Sequence, residues 1–300
     1  MMAVSGSIRS SRIWRLRPTP EKIARVRASP AIAAIVAALT VLGSSCSNEA
    51  VERPVVLATT TSVGNSGLLD ALLPALQADT GLSIRTHLVG SGRALAMLAD
   101  GQADAALTHA PEAEAAAIAQ HPSWVYRKLM FNDFVIVGPK ADPSAVATSR
   151  DAVEAFSRIA RSHALFISRG DGSGTEEREM LLWKLAGIAP QPSRRVVAGA
   201  GMGATLRIAD QMDAYTLVDR ATFMQNAQAL SVRVLCQGDS RLLNTYAIVY
   251  ENDVRAARFA EWLAEGRGRQ VTDAYRIEGQ PAFSVWPAQR PHSRPNDLPR

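Results

Sequence analysis

From Val55 onward, short apolar runs alternate with stretches of helical periodicity, and loops of small or hydroxylated residues lie between them. Val55 to Ala58, Leu82 to Val89 and Ala103 to Leu107 read as strands. Leu68, Leu69, Leu72, Leu73 and Leu76 recur at helical spacing until Gly81 stops them, and Ala94, Leu95, Met97 and Leu98 mark a second helix. Thr59 to Ser66 reads as a loop between the first strand and its helix. Such alternation is the mark of parallel βαβ units. Right-handed crossovers then put the strand-to-helix turns along one sheet edge, where ligands of open α/β sheets bind. That edge carries Thr59, Thr60, Thr61, Ser62, Ser91 and His109.

A second set of units follows. Phe134 to Val137, closed by Gly138-Pro139, leads out of the first set. Leu165 to Ser168 is a strand, Thr175 to Ala186 a helix, Val196 to Ala198 a strand, Ala204 to Met212 a helix, and Tyr215 to Val218 a strand delivering Asp219 and Arg220. Val232 to Leu235 and Thr245 to Tyr250 read as strands and Val254 to Glu265 as a helix. With 300 residues, 47% of them hydrophobic, the chain exceeds what one compact core usually organises. The expectation is an α/β chain of two lobes: residues 54–138, residues 139–237, and a return to the first lobe over 238–280, with 281–300 a flexible tail rich in Pro and Arg.

The net charge of +5 is misleading. Residues 1–45 hold Arg9, Arg12, Arg15, Arg17, Lys22, Arg25 and Arg27 against Glu21 alone, a local charge of +6 that leaves −1 for the rest. A uniformly basic groove for nucleic acid is therefore not expected. The basic stretch is followed by the apolar run Ala31 to Leu42 and by Gly43-Ser44-Ser45-Cys46, the shape of an export signal over residues 1–45, with 46–53 a linker. Cys46 stands where a lipoprotein cysteine would stand, but Gly43 occupies the position where such signals usually carry Leu. Cys236 is the other cysteine; neither a disulfide framework nor a zinc site is expected.

The strongest local signal is Ser168-Arg169-Gly170-Asp171-Gly172-Ser173-Gly174-Thr175, between a strand and a helix. Glycines let the main chain approach a ligand, hydroxyls and helix N-terminal N–H groups donate hydrogen bonds, and one Arg adds charge with a planar fork of donors. The loop suits a small oxyanion. The plainer alternative is that Ser173 or Thr175 caps the helix and Arg169 pairs with Asp171. Gly199 to Thr205 has neither the spacing of a dinucleotide fingerprint nor a Walker lysine; it offers Gly203, Ala204 and Thr205 as further donors. No nucleophile elbow and no HExxH helix is present, and no catalytic triad assembles.

Leu57 to Ser62, Asn132 to Pro139, the SRGDGSGT segment, Gly201 to Leu206 and Tyr215 to Arg220 together closely resemble, in order, the tungstate-binding proteins of bacterial ABC importers. The resemblance implies a type II periplasmic binding protein fold, two α/β lobes joined by a two-strand hinge with the ligand cleft between them. It implies an oxyanion held by Thr59, Thr60, Thr61, Ser62, Ser91, Arg169, Ser173, Gly174, Thr175, Gly203, Ala204 and Thr205, with His109, Asp171, Asp219 and Arg220 behind them. It further implies tungstate or molybdate as ligand, a permease and an ATPase as partners, a monomeric receptor on the outer side of the membrane, and no metal, cofactor or catalytic residue. Gly172, Ala110, Val218 and Ala221 depart from the family pattern.

Phosphate-binding proteins share a similar Arg-x-Asp-x-Ser-Gly-Thr segment but carry an acid after the third strand, where this chain reads Thr108-His109-Ala110-Pro111. A deprotonated dianion has only acceptors, so Thr or His donors there favour tungstate or molybdate over phosphate. A sensor using the same site and a phosphate-ester hydrolase with His109 or Asp171 as base are the competing readings.

Overall fold

The computed structural model describes residues 52–288 and 294–299; the expected export signal and Cys46 lie outside them. In the first lobe, β1 (Val55–Thr60) lies between parallel neighbours β2 (Ile84–Val89) and β3 (Ala105–Thr108). Connecting them are α1 (Thr61–Asn65), α2 (Leu68–Thr80) and α3 (Ser91–Ala99), with α4 (Pro111–Gln120) after β3. Residues 61–65, read as loop from the sequence, form a short helix because Thr60 caps it, accepting a bond from the Val63 N–H at 3.3 Å.

The chain leaves on β4 (Val125–Gly138), then forms α5 (Ala152–Arg161), β5 (Phe166–Ser168), α6 (Gly174–Ala186), β6 (Arg195–Val197), α7 (Met202–Gln211), β7 (Tyr215–Asp219), α8 (Arg220–Asn226) and β8 (Arg233–Cys236). It returns through β9 (Leu243–Tyr250), α9 (Val254–Ala264) and α10 (Arg267–Ala274), and ends in the short strands β10 (Arg276–Ile277), β11 (Gln280–Pro281) and β12 (Ser284–Val285). Among the described residues the main strand order is β2-β1-β3-β9-β4-β7-β5-β6, with β8 and β12 also on β4.

β4 is the spine. Its residues from Val125 to Asp133 pair antiparallel with β9, and those from Phe134 to Val137 pair with β7. One strand therefore belongs to two half-sheets, and the change of partner falls between Asp133 and Phe134. There Arg220 grips the Asp133 carboxylate with two bonds, of 2.5 and 2.6 Å. The first half of β4 escaped the sequence reading because Arg127 and Lys128 interrupt its apolar run. In the fold, buried Lys128 lays its ammonium over the Trp286 ring, 4.4 Å from its centroid.

Separate cores form in the two lobes. Leu57, Leu68, Leu72 and Leu76 pack with Tyr246, Ile248 and Phe259 in the first; Phe134, Phe156, Phe166, Trp183 and Tyr215 pack in the second. Trp183 also donates to buried Glu179.

The expected flexible tail is corrected. Ser284 and Val285 pair with Phe131 and Met130 of β4, and the Trp286 N–H donates to the Leu129 carbonyl at 2.9 Å. Ala282, Phe283 and Trp286 are buried, and the Lys128 ammonium donates to the Asp297 carbonyl. The Pro- and Arg-rich composition masked a short aromatic segment that covers the sheet. Phe283, 3% exposed, meets the Tyr246 ring edge-on at 5.5 Å. Phe283→Ala should therefore cost about 3–5 kcal/mol of unfolding free energy, measured by urea titration; a loss below about 1 kcal/mol would mean that the segment does not pack as described.

Candidate functional site

The turns after β1, β3 and β5, with the starts of α3 and α7, meet at the seam between the lobes. Direct contacts define the meeting. The Gly92 N–H donates to the Gly172 carbonyl at 3.3 Å, and Arg169 Nη2 reaches Thr61 Oγ1 at 3.4 Å. A methyl group placed on Gly174 would lie 2.1 Å from the His109 carbonyl oxygen, so only glycine permits this approach. Farther out, the Glu177 carboxylate on α6 accepts from the N–H groups of Glu112 and Ala113, at 3.0 and 3.1 Å. A second-lobe acid thereby caps the N-terminus of first-lobe helix α4, with favourable sign for the helix dipole. Burial raises the Glu177 carboxyl, and the two N–H bonds oppose the shift.

At the centre is Arg169, 2% exposed. Its Nε donates to the Ala200 carbonyl at 2.9 Å and its Nη2 donates to Asp171. Its Nη1 is buried and has no partner. The Thr175 hydroxyl is likewise buried without a partner, whereas the Ser62 hydroxyl lies beside the Asp219 carboxylate and stabilises its charge. Ser91 Oγ accepts from the His109 N–H at 3.3 Å, which leaves its own O–H to donate. Thr60 also accepts through its oxygen, from Val63. A buried N–H or O–H left unpaired costs about 1–3 kcal/mol, so several at one seam call for an acceptor-rich ligand.

Other sequence-expected residues divide by where their hydroxyls point. Thr59 Oγ1 donates to the Leu107 carbonyl at 3.1 Å and so ties β1 to β3. Thr205 Oγ1 bonds the carbonyls of Ala200 and Gly201, each at 3.2 Å. Expected to donate to the anion, both hydroxyls are instead committed to main-chain oxygens. The Ala204 and Thr205 N–H groups turn back onto the Gly201 carbonyl, each at 3.0 Å. A methyl group on Gly203 would lie 3.3 Å from Asn65 Nδ2, so this glycine sits against α1. Ser173 caps α6 by accepting from the Glu176 N–H. The plainer reading of the SRGDGSGT loop thus accounts for Ser173 and for Arg169 Nη2, but leaves Arg169 Nη1 and the Thr175 hydroxyl unexplained.

Behind these donors, Asp171 orients Arg169 and also accepts from the Ser173 N–H at 3.2 Å. Asp219 caps α8 through the Thr222 N–H at 2.9 Å. Burial raises its carboxyl, against the pull of that N–H bond and of the Arg169 charge. Arg220 sits at the change of partner along β4 rather than among the unpartnered donors.

His109 differs from its expected donor role. Its Nδ1 lies 2.9 Å from Asn244 Oδ1, and Asn244 Nδ2 donates to Asn132 Oδ1 at 2.9 Å. Asn132 Nδ2 faces the Ala282 carbonyl at 3.4 Å. A carbonyl can only accept, so each amide is oriented in turn and His109 Nδ1 carries the proton. Nε2, buried and unpartnered, then presents a lone pair. Burial lowers the ring's pKa to about 4, with Asn244 opposing and Arg169 reinforcing the shift, so the ring is neutral near pH 7.

Sequence reasoning missed Glu114. Fully buried on α4, it accepts from the Thr108 hydroxyl at 2.8 Å, the Ala110 N–H at 2.9 Å and the Tyr126 hydroxyl at 3.0 Å, which fixes the turn that carries His109. Burial pushes its pKa up to about 7. Glutamate on an alanine-rich helix gives no sequence signal of burial. Among the described residues no group of His, Cys, Asp and Glu side chains is placed to hold a metal ion, and no helix is long and apolar enough to cross a membrane.

Compared with known proteins, residues 44–267 match the family model described as a PBP superfamily domain. The tungstate-binding protein TupA of Peptoclostridium acidaminophilum is 38% identical over 242 residues, 77% of this chain and 85% of that protein. The crystal structure of the tungstate ABC transporter from Geobacter sulfurreducens superposes with a TM-score of 0.68 at 35% identity, covering 75% of this chain and 99% of that one. The tungstate-binding protein TupA from Desulfovibrio alaskensis G20 gives a TM-score of 0.64 at 35% identity, covering 78% and 99%.

Because Glu177 bridges the lobes, its bonds favour the arrangement in which they meet, and an ion captured between the lobes would draw on them. Glu177→Gln should weaken binding of a tetrahedral oxyanion such as tungstate roughly three- to tenfold while leaving the melting temperature of the ligand-free protein within a degree or two. Calorimetric titration and a thermal scan check both; unchanged affinity would show that the contact does not contribute to closure.

Proposed function

We infer that this chain, which belongs to the tungstate-binding proteins of the PBP superfamily, is an extracytoplasmic receptor that captures tungstate, with molybdate as companion ion, for an ABC importer. The observation that carries the reading is the buried, unpartnered Nη1 of Arg169, with the Thr175 hydroxyl unpartnered at the same seam. A tetrahedral dianion supplies the acceptors that these groups lack. Thr60 and Ser91, whose oxygens already accept main-chain bonds, are left with an O–H to give.

Charge supports the same ligand. One guanidinium half neutralises a dianion, and the N-termini of α3 and α6 add partial positive charge. Charge-assisted bonds contribute about 1.5–3 kcal/mol each, and those made on closure offset dehydration of the ion. Capture in this reading is non-covalent: the lobes close on the ion, the closed form docks on a permease and its ATPase, and reopening releases the ion for transport. The basic stretch and apolar run that precede Cys46 support export across the cytoplasmic membrane, with Cys46 as a candidate lipid attachment point.

One observation favours a second ligand. The lone pair at His109 Nε2 would accept a bond from a protonated oxyanion, so hydrogen phosphate belongs in the test.

Titration of the purified protein with tungstate, molybdate, sulfate and phosphate should give saturable, strongest binding with tungstate or molybdate. Arg169→Ala should weaken that binding about ten- to a hundredfold, the loss of one charged hydrogen bond. Tightest binding of phosphate would move the chain to the second reading, and unchanged affinity in Arg169→Ala would remove Arg169 from the site.

A further inference from the structure

The position of His109 raises a difficulty that the oxyanion reading, on which this inference rests, does not itself resolve. The imidazole is 2% exposed and stacks on Tyr246 at 5.0 Å, with Phe134 at 6.0 Å. Its carbonyl is pressed by Gly174 of the other lobe. The amide chain from the Ala282 carbonyl through Asn132 and Asn244 holds the proton on Nδ1, so Nε2 offers a lone pair. A dianion also offers only lone pairs, and two acceptors facing each other in a dry site repel. Turning the ring over would break the amide chain and leave Asn244 without its donor.

We propose that His109 takes up one proton from solution as a dianionic oxyanion enters the cleft, so that Nε2 becomes a donor and capture of the anion is coupled to protonation of this ring.

The charged and titratable groups around the ring are consistent with an uncharged imidazole before capture and a charged one after it. From the β5–α6 loop come Arg169 and Asp171, and from α6 comes Arg178; Tyr246 of β9 stacks on the ring. One step farther out, Glu114 of α4 bonds the neighbouring Ala110 N–H, Glu177 of α6 bonds the start of α4, and Asp219 of β7 acts on Tyr246. Burial, Arg169 and Arg178 hold the empty-site pKa near 4, with Asn244 and Asp171 opposing. A dianion adds two negative charges beside the ring and raises that value. The liganded state then binds more protons than the free state between about pH 4 and the liganded pKa. Affinity rises there as pH falls, by at most tenfold per pH unit, and is flat above that window.

The test is calorimetric titration of the full chain with sodium tungstate at pH 6.5, in two buffers of different ionisation enthalpy. The expected result is a heat that differs between buffers in proportion to an uptake approaching one proton, together with tungstate affinity that rises as pH falls. In His109→Gln, which keeps a donor but cannot titrate, the buffer dependence and the pH dependence should both disappear. Saturable tungstate binding whose heat is the same in both buffers overturns the proton step alone. Uptake that survives in His109→Gln but vanishes in Glu114→Gln assigns the proton to Glu114 and overturns it as well. No saturable binding of tungstate in the unmodified protein removes the oxyanion reading and this inference with it. Nitrogen-15 spectra of the histidine rings, recorded with and without tungstate, give a readout that needs no variant: Nε2 of His109 should move from the lone-pair to the protonated range.

Discussion

A guanidinium taken out of water with one NH2 group unpaired is the constraint around which this molecule is arranged. Removing Arg169 from solvent is costly unless every donor finds an acceptor, and the protein supplies only some of them: the Ala200 carbonyl, Asp171 and the Thr61 oxygen. The unmatched donors at the same seam are held in place by the strands and helix starts that carry them. This is preorganisation, in which the ligand meets groups already desolvated and aimed and little ordering remains to be done on binding.

That arrangement is assembled from two halves. Ser62 and Ser91 belong to the first lobe and Arg169 and Thr175 to the second, so in the proposed site neither lobe alone would surround an ion. Several bonds cross between the lobes: Gly92 to Gly172, Glu177 to the start of α4, Arg169 to Thr61, and Gln225 to the Ser66 carbonyl and the Tyr275 hydroxyl.

Much of this was legible in the sequence. The alternation of apolar runs with small-residue loops placed the first-lobe strands, and the SRGDGSGT loop drew attention to Arg169 and Thr175 because a glycine-rich turn at a helix start has few other uses. What stayed hidden was pairwise. Nothing in the order of residues reveals that Thr59 and Thr205 turn their hydroxyls to carbonyls, that Glu114 is fully buried, or that an amide chain from Ala282 decides which nitrogen of His109 bears hydrogen. For Thr59 and His109 the partner is far away along the chain, and for Thr205 and Glu114 it is nearby but set by a turn that the order of residues does not close. The docking of Phe283 and Trp286 is again distant, and their segment reads as tail because its prolines outnumber its aromatics. The first half of β4 was missed for a related reason: its charged residues look solvent-exposed until Trp286 is in place above Lys128.

The uninterrupted run of β4 through both half-sheets has a mechanical consequence. A flexible tether would let the lobes drift and melt as independent bodies. A strand hydrogen-bonded along its length to β9 on one side of Asp133 and to β7 on the other instead restricts relative motion to a bend or twist about a short pivot. It also joins the two cores through one continuous strand that contributes residues to both half-sheets.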